Sequence, residues 1–96
     1  MNIQVTSEAA KWYISELDLQ PSSYLRFFPR YGGVGGLIPG FSIGISFDKP
    51  VHLHASTQVE GITFFIEQND AWYFDEKNEL KIALNKTLNE PEFIYS

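Results

Sequence analysis

The hydrophobic period of this chain changes once, near residue 23, and the change limits what it can fold into. Ala10, Tyr13, Ile14 and Leu17 fall at i, i+3, i+4 and i+7, the stripe of an amphipathic helix over about residues 7–18. Thr6 or Ser7 supplies a capping oxygen and Glu8 an acid at the positive end, while Lys11, Ser15 and Glu16 fall on the wet side. Trp12 lies off the stripe beside Ala9 and Glu16, where it either widens the buried face or is exposed. Asp18 to Ser23, with Pro21 inside, ends the helix.

Beyond that loop the period is two. Leu25, Phe27 and Pro29 alternate with Arg26, Phe28 and Arg30, and Pro29, lacking an amide donor, is expected at a strand edge or bulge that interrupts the sheet bonding. Phe41, Ile43, Ile45 and Phe47 alternate with Ser42, Gly44 and Ser46, and Asp48-Lys49-Pro50 ends that strand. Val51, Leu53 and Ala55 alternate with His52 and His54 in a shorter strand, and Ile62 to Ile66 is apolar enough for a buried central one. Gln68-Asn69-Asp70 reads as a turn or helix start before Ala71 to Phe74, and 75–78 as a polar connection of hairpin length. Leu80, Ile82 and Leu84 form a further strand, and Ile3 to Val5 a short one at the start. The tail from Asn85 to Ser96 is mixed, broken by Pro91 and anchored by Phe93, Ile94 and Tyr95. The expected fold is α+β, one N-terminal helix on a small, mainly antiparallel, twisted sheet, with residues 1–96 as one domain.

The residue inventory narrows the function. There is no cysteine, so disulfides, thiolate metal sites and cysteine nucleophiles are excluded. Seven basic residues against twelve acidic ones give a net charge of -5, with nine of the acids from Asp48 onward, so nucleic acid is a poor partner. The N-terminal residues carry neither a basic leader nor a long apolar run, and no stretch of about 18 apolar residues occurs, so a cytoplasmic protein away from membranes is expected. Fifteen aromatic residues in 96, too many for one helix on one sheet to bury, lead us to expect self-association.

Between Tyr31 and Gly40 stand five of the seven glycines. Gly-rich amides can surround a phosphate, but this run has no Gly-Lys-Ser/Thr ending and leads into an alternating strand rather than a helix. A strand connection is the better reading. His52 and His54 are spaced to share a strand face, but a metal needs a third ligand from Glu60, Glu67 or Asp70 that only folding can supply. Arg26 and Arg30 flank Phe28 on one side of a strand running into the glycines, which brings two guanidinium groups, loop amides and the Tyr31 ring together. Arg26, Arg30, Tyr31, Gly32, Gly33, Val34, Gly35 and Gly36 are therefore the candidate site, facing a protein partner or a small anionic ligand. No catalytic set, resident cofactor or metal can be assigned by spacing.

Leu25 to Phe47 resembles the HesB/IscA family of A-type iron–sulfur carriers, in which a strand runs into a Gly-Gly-Cys-Ser-Gly loop and an aromatic-rich strand follows. Here the loop reads Gly32-Gly33-Val34-Gly35-Gly36. Thr6 to Ala10, Phe47-Asp48, Gly61 to Ile66 and Trp72-Tyr73-Phe74 fall where that family has counterparts. Val34 stands at the loop cysteine and the tail offers no thiol, which is similar to the cysteine-lacking YneR-type branch and implies a HesB-like fold that holds no cluster. The resemblance implies a non-enzymatic binding or adaptor protein related to iron–sulfur cluster biogenesis. The alternatives are a metal carrier using His52, His54 and carboxylates, and an enzyme of unknown reaction.

Overall fold

A computed structural model describes residues 1–33, 36–75 and 77–96. In chain order the elements are β1 (Asn2–Val5), α1 (Ser7–Leu17), β2 (Tyr24–Tyr31), β3 (Phe41–Ser46), β4 (Leu53–Val59), β5 (Ile62–Glu67), a 3-10 segment (Gln68–Phe74), β6 (Glu79–Asn85) and β7 (Glu90–Tyr95). Glu76, within the expected polar connection 75–78, lies outside the described residues.

The α+β class holds, but the single sheet expected is two. One sheet has the order β1-β6-β7 and the other β3-β2-β5-β4. Pairing is mixed: β1 runs parallel to β6 and β2 to β5, while β2–β3, β4–β5 and β6–β7 are antiparallel. The parallel pair β1–β6 joins the two ends of the chain, a partnership that no local pattern announces.

Helix α1 starts where Thr6 accepts the Ala9 N–H at 3.1 Å, and it ends at Asp18, whose φ of 53° is left-handed. Ala9, Ala10 and Tyr13 are buried. Trp12 widens that face, and its indole N–H reaches the Asn89 carbonyl at 2.8 Å, tying α1 to the β6–β7 turn. The core joins both sheets, Leu80 and Ile82 of β6 lying in one buried cluster with Phe27 of β2 and Phe64 of β5. Phe27 stacks on Phe64 at 6.0 Å, and the Tyr13 ring meets them at 5.8 and 5.9 Å. Burial of each such phenylalanine contributes about 1.5–3 kcal/mol. It also raises the Tyr13 phenol pKa, because ionisation there would strand a charge among apolar rings.

Two expectations about strand limits change. Pro29 does not interrupt β2, whose register against β3 runs unbroken from Arg26 opposite Ser46 to Tyr31 opposite Phe41. The Gly32 N–H bonds the Gly40 carbonyl at 2.6 Å, so ladder alternation turns the nitrogen of residue 29 away from β3, and pairing with β5 has already ended at Arg26. The tail regarded as mixed holds β7, where Pro91 is tolerated because the strand is an edge.

Candidate functional site

Strand alternation puts Tyr24, Arg26, Phe28 and Arg30 on the face of β2 away from the core. Gly44 lies opposite Phe28, and a Cβ there would meet the Phe28 ring at 2.7 Å, so glycine lets the ring lie across β3. The Arg26 guanidinium sits 5.2 Å from the same ring centre. Its Nη2 and Nε donate to one Asp70 oxygen at 2.7 and 3.2 Å, and Nη1 approaches Asp48 at 3.4 Å. Ser46 holds that Asp48 oxygen at 2.6 Å. Burial disfavours the Arg26 charge, but hydrogen bonds and attraction from Asp70, then Asp48, outweigh it and raise its pKa. The Asp48 pKa is lowered, first by the Ser46 hydroxyl and then by Arg26.

Beside this network, Glu67 accepts the amides of His52 and Val51 at 2.9 and 2.7 Å, which lower its pKa in that order. Glu67, one of the carboxylates that a histidine metal set would have needed, is thus committed to the backbone. Among the described residues no three of His, Asp and Glu stand close enough to hold a metal ion.

Arg30, four residues further along the same face, is exposed and makes no ion pair among the described residues. Tyr31 follows it with 85% of its surface exposed. Its ring meets Phe41 edge-on at 5.7 Å, and Phe41 meets Trp72, 48% exposed, at another 5.7 Å. The 3-10 segment places Trp72 outward while Tyr73 turns in and its hydroxyl accepts the Leu37 N–H at 2.7 Å. Gly36 lies under that hydroxyl and the Phe41 carbonyl, with no room for a Cβ. Gly32 and Gly33 take φ of 104° and 77°.

The candidate residues therefore divide. Arg30, Tyr31 and Gly32 come together at the loop end of the β2–β3 hairpin, with a Gly33 Cβ position 3.8 Å from the Arg30 guanidinium. Arg26 sits apart in its ion network. Two loop amides, of Gly32 and Leu37, are occupied by protein acceptors. Val34 and Gly35 lie outside the described residues. The sequence reading missed Phe41 and Trp72 as companions of Tyr31, and Asp70 as the anchor of Arg26. Trp72 carried a signal, a large ring beside buried aromatics, but nothing marked Asp70, 44 residues from Arg26.

Comparison with known proteins defines the context. The chain is 41% identical over 95 residues, 99% of each chain, to a Bacillus subtilis protein named pyruvate dehydrogenase inhibitor. The chain belongs to the family of that inhibitor. It is also 36% identical over 93 residues, 94% of each chain, to an uncharacterized protein of Staphylococcus saprophyticus. A Staphylococcus epidermidis relative, likewise uncharacterized, is 32% identical over 98 residues, 99% of this chain and 97% of that one. No family model and no solved structure matches.

These relatives correct the resemblance to the HesB/IscA carriers and its iron–sulfur context: the full-length likeness is to a dehydrogenase inhibitor, and nothing found supports a HesB-like fold or a role in cluster biogenesis. The physical reason is that glycine is a general loop residue, so a glycine-rich link between two alternating strands does not mark one family. Among the described residues no helix is long and apolar enough to cross a membrane.

Proposed function

We propose that this chain is a non-catalytic regulatory protein that binds pyruvate dehydrogenase and lowers its activity. The observation that carries the reading is the 41% identity along nearly the whole of both chains to a protein named for that inhibition. The surface geometry agrees with protein binding. Tyr, Trp and Arg are the residue types that most often dominate interface energetics; Tyr31 and Trp72 flank Phe41, and Arg30 precedes Tyr31 in β2 on the opposite face of the strand. The rings are held edge to edge before any partner arrives, so little ordering entropy is spent on docking. The loop beneath them is pinned at Gly32 and Leu37, which favours a fixed contact patch over an anion cradle.

The test is a titration of purified Bacillus subtilis pyruvate dehydrogenase with the purified chain, with lactate dehydrogenase as an unrelated control. Saturable loss of pyruvate dehydrogenase activity alone is expected, and Tyr31→Ala with Trp72→Ala should weaken it at least about tenfold. Full activity at a large excess of the chain would sink the proposal.

A further inference from the structure

Among the described residues the two sheets have four edges, and three carry the devices that keep edges from pairing. Strand β1 is only four residues long and lies against β4. Strand β4 has a register shift between Leu53 and Ala55. Strand β7 carries Glu90, Pro91 and Glu92. Strand β3, Phe-Ser-Ile-Gly-Ile-Ser, has no charge, no proline and no break in register.

The ladder phase shows which groups it presents. With Gly32 and Gly40 a bonded pair, Ser42, Gly44 and Ser46 spend their backbone groups on β2, while those of Phe41, Ile43 and Ile45 turn outward. The Phe41 N–H is taken by the Ile38 carbonyl at 3.1 Å. Among the described residues, the N–H groups of Ile43 and Ile45 have no partner. Their side chains, with Trp12, Pro91, Phe93 and Glu90, line an open groove of about 400 Å³. A strand laid along β3, about 4.8 Å away, would place every second side chain toward that groove.

Charge decides between occupants. Glu90 is the one charged residue among the described residues lining the groove, in a chain of net charge -5. Two copies pairing β3 to β3 about a two-fold axis keep both grooves on the same side, so like carboxylates and like net charges approach each other. We propose that the β3 edge accepts an extended segment of a different polypeptide, apolar at every second residue and carrying Lys or Arg where it passes Glu90. The proposal deepens the reading of the chain as a protein-binding regulator by naming the kind of segment it takes. Phe41 belongs both to this edge and to the aromatic patch, so one partner can cover both.

The test uses a synthetic peptide, Val-Thr-Val-Thr-Val-Thr-Lys with blocked ends, and its counterpart ending in Glu, with backbone amide exchange as the readout. The Lys peptide should slow exchange at Ile43 and Ile45 about tenfold, and the Glu peptide much less. Glu90→Lys should reverse that preference. Ile45→Pro, which removes an outward N–H without touching the bonds to β2, should abolish the protection. No slowing at about 1 mM peptide, equal slowing by both peptides, or no reversal in Glu90→Lys would overturn the proposal. Protection that grows with protein concentration in the absence of peptide would overturn it in favour of a second copy. Failure of the wild-type chain to inhibit pyruvate dehydrogenase would refute the proposed function, while the exchange result would still decide the edge.

Discussion

Arg26 and Arg30 stand four residues apart on the same face of the same strand, yet they do opposite things. Arg26 is held by Asp70 and Asp48 against the Phe28 ring, with 27% of its side chain exposed. Arg30 stands exposed at the hairpin end beside Tyr31. The difference arises outside β2: the chain returns from β5 through the 3-10 segment to put Asp70 beside the first arginine, and among the described residues no carboxylate pairs with the second. A shared strand face therefore does not make a shared site, and replacing both arginines at once would mix a folding effect with a binding effect.

Separating them gives the largest predicted effect. Arg26→Gln leaves the Asp70 carboxylate, only 12% exposed, without its guanidinium, and should destabilise the fold by about 2–4 kcal/mol in urea denaturation. Arg26→Gln combined with Asp70→Asn should cost less than the two single changes added together. An additive result would mean that the pair is not a unit, and the contrast with Arg30 would lose its basis.

The loop end should respond more weakly. Tyr73→Phe removes the acceptor of the Leu37 N–H and should cost about 1 kcal/mol, with faster amide exchange at Leu37. Unchanged exchange there would show that the hydroxyl does not pin the loop.

How much of this was legible in the sequence follows the range of the interactions. Helix α1, the alternation through β2 and β3 and the buried β5 are short-range patterns, and they stand close to where periodicity puts them. The split into two sheets rests on Asn2–Val5 pairing with Glu79–Ile82, which leaves no trace in either segment alone. Strand β7 was hidden by Pro91 and two glutamates, which weaken a strand reading and yet suit an edge. At the site, Arg30, Tyr31 and Gly32 were adjacent in sequence and remain together in space. Trp72 and Asp70 arrive from a distant segment, so their roles needed the fold.

Acid should distinguish the two regions again, because the perturbed carboxylates lie at the Arg26 end. Native Glu67 and Asp48 have lowered pKa values, Glu67 chiefly from the His52 and Val51 amides and Asp48 chiefly from Ser46. Each therefore favours the fold at neutral pH, and that contribution fades as pH falls from the ordinary carboxylate value through the lowered native one. Glu67→Gln should flatten part of the acid-side fall in thermal midpoint while leaving the curve near neutral pH similar in shape. If its profile overlays the wild type down to about pH 2, the hydrogen bonds to residues 51 and 52 do not contribute to stability.

The smallest effect on stability belongs to Arg30, and it carries the functional half of the comparison. An exposed arginine with no ion partner among the described residues has little to lose on folding, so Arg30→Gln should shift the unfolding free energy by no more than about 0.5 kcal/mol. In an acidic molecule it adds a positive charge next to Tyr31 in the chain, at the hairpin end that carries the Tyr31–Phe41–Trp72 rings, where a rim charge steers association more than it strengthens the bound state. The variant should therefore inhibit pyruvate dehydrogenase about three- to tenfold less strongly, chiefly through slower association, and its inhibition should depend less on ionic strength than that of the wild type. Wild-type potency with an unchanged salt dependence would remove Arg30 from the contact surface and leave the aromatic rings to account for binding. A loss of stability as large as that of Arg26→Gln would mean that the two arginines are alike after all.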